Sequence, residues 1–151
     1  MSIFGALKKA IASGVKEVSS EYGKTDDFLN AVCSSSALVA NADGVIEDSE
    51  RTKAISLIRN HSTLSKLYSG DKIEETTDRM LKLSKDKSGR QELARYIDKV
   101  RGLENGKAMS EDVYLVAADI ASADGSVAPE EEAVLKKIAD RLGVDPSKFE
   151  F

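Results

Sequence analysis

"ANADGVIEDSE", residues 40–50, returns eighty-one residues later as "ASADGSVAPEE", residues 121–131. Both copies place Ala-Asp-Gly first, an apolar residue two beyond the Gly (Ile46, Val127), and a Glu four further on (Glu50, Glu131). What flanks them also repeats. Ahead of the first copy, a helix expected over about 26–42 is apolar almost all round, with Phe28, Leu29, Ala31, Val32, Cys33, Ala37, Leu38 and Val39. A short helix without a polar face is a buried one. Ahead of the second copy, "EDVYLVAADIASA" has the same character, and Ser110 is placed to cap it. Behind each copy an amphipathic helix is expected. One starts near Asp48 and turns Ala54, Ile55, Leu57 and Ile58 inward; the other is "PEEEAVLKKIADRLG", with Pro129 in its first turn and Gly143 at its end. The chain thus reads as two hairpins, each a buried helix, an Asp-Gly corner and an amphipathic helix, packed with approximate two-fold symmetry.

The rest of the sequence is consistent with an all-α fold of seven to eight short helices around an Ala-rich core. Between the hairpins, "DKIEETTDRMLKLSKD" and "SGRQELARYIDKVRGLE" open with Asp71/Glu74 and Ser88/Gln91 in capping-box spacing. No run alternates long enough for a strand. Residues 2–18 carry Ile3, Leu7, Ile11, Val15 and Val18 on one stripe, with Lys8, Lys9 and Lys16 off it. This amphipathic helix and a polar linker divide the chain into an N-terminal segment, 1–22, and a helical domain, 23–151. The stripe suits docking on the core, a partner, or peripheral contact with a membrane surface.

Composition removes several function classes. The 151 residues are 41% hydrophobic and 32% charged, with net charge −4 and no basic cluster, so nucleic acid is not an expected partner. The lone cysteine, Cys33, cannot form an internal disulfide, which suits a reducing cytoplasm. No apolar run reaches the roughly 18 residues of a membrane span. An enzyme is not expected either: there is no nucleophile beside a base, no phosphate-binding Gly loop, and a single histidine, His61, placed at a helix end where it suits the dipole.

Chemically, the corners pose a choice. On the EF-hand template, Asn41, Asp43 and Glu50 match the first copy and Ser122, Asp124 and Glu131 the second, but Val39 and Ile120 stand where the first ligand is required. A degenerate EF-hand is therefore the weaker alternative. Each corner alone reads first as structural: Gly44 and Gly125 supply positive φ, and Glu50 and Glu131 fall where a capping Glu bonds back to the cap N–H. Yet the cap residues, Glu47 and Ala128, are poor ones, and both corners hold more acid than capping needs. If the repeat brings Asp43, Glu50, Asp124 and Glu131 together, four carboxylates repel unless a cation joins them. Oxygen ligands without His or Cys select Ca²⁺ or Mg²⁺ over Zn²⁺.

Three blocks resemble the TerB family of bacterial tellurite-resistance (Ter) clusters: "MSIFGALKKAIASGVKEV", "FLNAVCSSSALVANADGVIEDSE" and "AADIASADGSVAPEEEAVLKKIADRLGVDPSKF". The resemblance implies an all-α domain with a candidate metal site at Asp43, Glu50, Asp124 and Glu131. It implies a link to the response to tellurium ions, phage and colicins, and joined to the acidic corners and the lack of catalytic groups it makes a non-catalytic, metal-responsive adaptor the expected role. The implied partners are Ter-system proteins, among them the integral membrane protein TerC at the cytoplasmic face of the inner membrane. A protein–protein interaction module without metal is the alternative.

Overall fold

The computed structural model describes residues 21–149, Asp124 apart. The N-terminal amphipathic stripe over 2–18 and Asp124 lie outside the described residues. The described chain holds seven α-helices and a final 3-10 turn: α1 Asp27–Ala40, α2 Asp48–Arg59, α3 Ser62–Leu67, α4 Gly70–Leu83, α5 Lys87–Arg101, α6 Gly106–Ala121, α7 Pro129–Leu142, and the turn Pro146–Phe149.

α1 is the axis. It packs against α2, α4, α5, α6 and α7, and Phe28, Leu29, Ala31, Val32, Cys33 and Ala37 are sealed from solvent. Its small residues let neighbours approach on every side. Even its three serines are buried, and Ser35 returns its hydroxyl to the Ala31 carbonyl at 2.8 Å. α6 is the second buried helix, with Val113, Val116, Ala117 and Ala118 inside. The two hairpins meet through α1 and α6. α5 contributes Leu93, Ile97 and Val100. α2 departs from expectation: only Ile58 is fully buried, while Ala54, Ile55 and Leu57 pack against the core yet stay partly exposed. Ala54 and Leu57 open onto a cleft between α2 and the ends of α1 and α6, described below.

Three helix starts differ from those expected. Ser69, not Asp71, caps α4 by accepting from the Lys72 N–H at 3.2 Å. Asp86, not Ser88, caps α5, accepting from the Gly89 N–H at 2.7 Å; this bond and one from the Ser88 hydroxyl lower the Asp86 carboxyl below its ordinary value. α6 begins at Gly106, so Ser110 lies inside the helix, buried, because Met109 one residue earlier must also reach the core.

Tyr22, read from sequence as linker, is a core residue. Its ring stacks on Phe28 with centroids 4.6 Å apart, and its hydroxyl donates to Asp112 Oδ2 at 2.5 Å. Tyr68 then clamps the same segment by donating to the Tyr22 and Thr25 carbonyls at 2.8 and 2.9 Å. Burial raises the Asp112 carboxyl above its ordinary value, and the Tyr22 hydroxyl pulls it part of the way back. The folded chain therefore holds this proton more tightly than the unfolded one. That contribution to stability is complete below the unfolded value of about 3.9 and is lost as the pH rises through the raised folded value. Tyr22→Phe leaves Asp112 buried without its donor, so stability should fall by about 1–3 kcal/mol at neutral pH. The deficit should shrink on acidification, as urea denaturation of both chains across pH will show. A deficit that does not change with pH would mean that Asp112 is not the group responsible.

Candidate functional site

The two Asp-Gly corners fold alike, bond for bond. In the first, Asn41, Ala42 and Gly44 donate their N–H groups to the Ala37, Val39 and Asn41 carbonyls at 3.1, 3.1 and 2.9 Å. In the second, Ser122, Ala123 and Gly125 donate to Ala118, Ile120 and Ser122 at 3.1, 3.2 and 2.9 Å. Both glycines adopt left-handed backbone, φ 90° and 94°, which a side chain would strain. The duplicated sequence is thus a duplicated loop that ends a buried helix and aims the chain into the next.

The corners share one cleft of about 280 Å³. Its floor is apolar, with Val39, Ala40, Ala54, Leu57, Ile120 and Ala121; its acids are Asp43, Glu50, Glu130 and Glu131, with Lys53 among them. Three of the four carboxylates expected to converge, Asp43, Glu50 and Glu131, therefore line the same space, and the fourth, Asp124, lies outside the described residues. Among the described residues no group of three or more His, Cys, Asp or Glu is set closely enough to hold a metal ion.

The carboxylates are not equivalent. Glu131, third in α7, accepts the Ala128 N–H on Oε1 at 3.1 Å, so it performs the capping role expected of it. Glu50 occupies the same position in α2, but no such bond reaches it from Glu47, whose helix start has no side-chain cap. Asp43 accepts the Val45 N–H on Oδ1 at 3.2 Å. One further polar group belongs here. Ser36, on the last turns of α1, lines the cleft less than a tenth exposed, and its hydroxyl is buried without a hydrogen-bond partner. An unmet hydroxyl in such a place costs free energy unless a ligand satisfies it. Sequence hid it within "CSSSA"; the signal was three serines on a helix with no polar face.

His61 also departs from expectation. It does not end α2 as a cation on a dipole; it caps α3. Its Nδ1 accepts the Thr63 N–H at 3.2 Å, which leaves the ring proton on Nε2, 2.6 Å from Asp119 Oδ2. Both side chains are nearly buried. The pair ties the α2–α3 turn to the last turns of α6, beside the second corner. Cys33 is sealed in α1 against the Thr77 hydroxyl, and burial pushes its thiol up to about 12.

These features have a family. The model for "Tellurite resistance protein TerB" matches residues 29–151, and the chain belongs to that family. Comparison with curated proteins and with solved structures gives no match. Among the described residues no helix is long and apolar enough to cross a membrane.

His61→Ala removes both a cap and a nearly buried hydrogen bond. It should lower stability by about 1–3 kcal/mol in chemical denaturation. An unchanged midpoint would show that the His61–Asp119 pair does not hold the corner in solution.

Proposed function

We propose that the chain is a non-catalytic, cation-responsive adaptor of a bacterial tellurite-resistance system. In this reading a hard divalent cation, Ca²⁺ or Mg²⁺, enters the cleft between the corners. Asp43, Glu50, Asp124 and Glu131 supply its oxygens, and the Ser36 hydroxyl supplies another. The observation that carries it is that three of those carboxylates and an unpartnered buried hydroxyl line one cleft; the described acids are set too far apart to hold an ion as they stand, so binding would draw them inward. Oxygen-only donors fit the choice of ion.

Two other residues support a non-catalytic role. Both nitrogens of the one histidine are committed to Thr63 and Asp119. The one thiol is buried and pushed away from the thiolate that would react. Cation binding changes the charge around an apolar floor, and Val45, 62% exposed, stands at the first corner as an apolar contact. That is chemistry for a partner surface whose affinity follows the ion. By family, the partner is a Ter-system protein such as TerC, met at the cytoplasmic face of the inner membrane, with residues 2–18 as the peripheral membrane contact.

Glu131→Gln separates cap from ligand, because the amide oxygen still accepts the Ala128 N–H while the charge is gone. Metal-free stability should change by less than about 0.5 kcal/mol. The rise in melting temperature given by millimolar Ca²⁺ or Mg²⁺ should disappear. Asp43→Asn with Asp124→Asn should do the same, and should leave metal-free stability unchanged or higher as carboxylate repulsion is relieved. If these variants shift the melting temperature equally with and without metal, the acids are only caps, and the corner is an interaction surface without an ion.

A further inference from the structure

We infer that a second site, at the opposite end of α6, binds a small oxyanion of the phosphate type. A cleft of about 270 Å³ lies between the C-terminal end of α5, the first turns of α6, and the segment that follows α7. Arg101, Lys107 and Lys148 line it, as do Ser110, Glu111 and Asp145.

Three features there are unexplained by folding alone, and each points the same way. Lys107 is the second residue of α6, a cation at the positive end of a helix dipole; that first turn holds no acid to offset it. The cap residue, Asn105, makes no side-chain bond to the amides it precedes. Ser110 is 1% exposed and its hydroxyl has no partner. Lys107, Ser110 and Glu111 stand at i, i+3 and i+4, so their side chains share the face of α6 that fronts this cleft. An oxyanion would accept from the orphan hydroxyl and neutralise the misplaced lysine near the positive end of the helix.

The third cation is built in from another element. Gly143, in left-handed backbone at φ 71°, leaves space in which a Cβ would lie 2.8 Å from the Arg101 Cζ. The guanidinium fills that space and donates through one nitrogen to the Arg141 carbonyl at 3.2 Å, leaving its other N–H groups for the cleft. Among the described residues no carboxylate lies within ion-pairing distance of Arg101, Lys107 or Lys148. The lining is three positive and two negative charges. Asp145 commits Oδ1 to the Ser147 N–H and hydroxyl, at 3.0 and 2.7 Å, which holds its carboxyl below the ordinary value. Net positive charge and a cleft larger than the anion suit inorganic phosphate, a small phosphate monoester, or a pyramidal chalcogen oxyanion.

The test is titration of the full chain, at constant ionic strength, with inorganic phosphate and, in a separate arm, with tellurite, followed by amide NMR. At least one anion should give saturable shifts confined to residues 101–111 and 141–148. Lys107→Gln should weaken that binding about tenfold, and Ser110→Ala about three- to tenfold. Ser110→Ala should also leave the melting temperature in anion-free buffer unchanged or higher, since it removes an unsatisfied group. A site that serves both anions will show the same residues shifting in both arms; one that serves a single chemistry will respond in one. Shifts that never saturate or that spread over every basic surface would overturn the proposal. So would affinity unaltered in both variants.

Discussion

Everything in this fold follows from one helix with no face for water. α1 must be covered on all sides, and α2, α4, α5, α6 and α7 cover it. A helix in that position cannot fade out into solvent; its last carbonyls have to be met within a turn and its chain turned sharply back. Gly44 does this with left-handed backbone, and Gly125 does the same for α6, the other buried helix. Because α1 and α6 pack against each other, their two corners come to one place. The acids that begin α2 and α7 are carried there by the packing of apolar residues, at positions where a helix start tolerates them. The acidic lining is a product of core geometry, and His61, bridging to Asp119, ties α6 to the α2–α3 turn beside it.

Much of this was legible because it rests on local rules. Helical periodicity gave the long elements, though not the six-residue α3, too short to show a period, and Asp-Gly at an eighty-one-residue spacing gave the repeated corner. Glu131 bonds back to its cap residue as its position requires. The helix starts were harder. Near α4 and α5, Ser69 competes with Asp71 and Asp86 with Ser88 within two residues, and only the direction of the incoming chain decides between them. Ser110 looked like a cap because it precedes an apolar run, but the core reaches Met109 and pulls the helix start back to Gly106. What sequence could not give were pairs joined across the fold. Tyr22 meets Asp112 and His61 meets Asp119 only after α6 has packed. An acid inside an otherwise apolar stretch, such as Asp112, was the one hint that such a partner existed. The cleft itself was illegible, since it exists where α2 fails to close over α1.

α6 therefore joins two chemically opposite surfaces. At its C-terminal end a cleft with an apolar floor carries Asp43, Glu50, Glu130 and Glu131; at its N-terminal end Arg101, Lys107 and Lys148 surround a second cleft. The one histidine and the one cysteine, His61 and Cys33, are both absorbed into structure.

The central claim is that the corners act as one site. It is tested most directly by following the Gly44 and Gly125 amides together during a Ca²⁺ or Mg²⁺ titration by NMR. A shared cation will move both signals along a single saturation curve, with the Ser36 amide following. Two curves with different midpoints, or movement of one glycine without the other, would contradict a shared site.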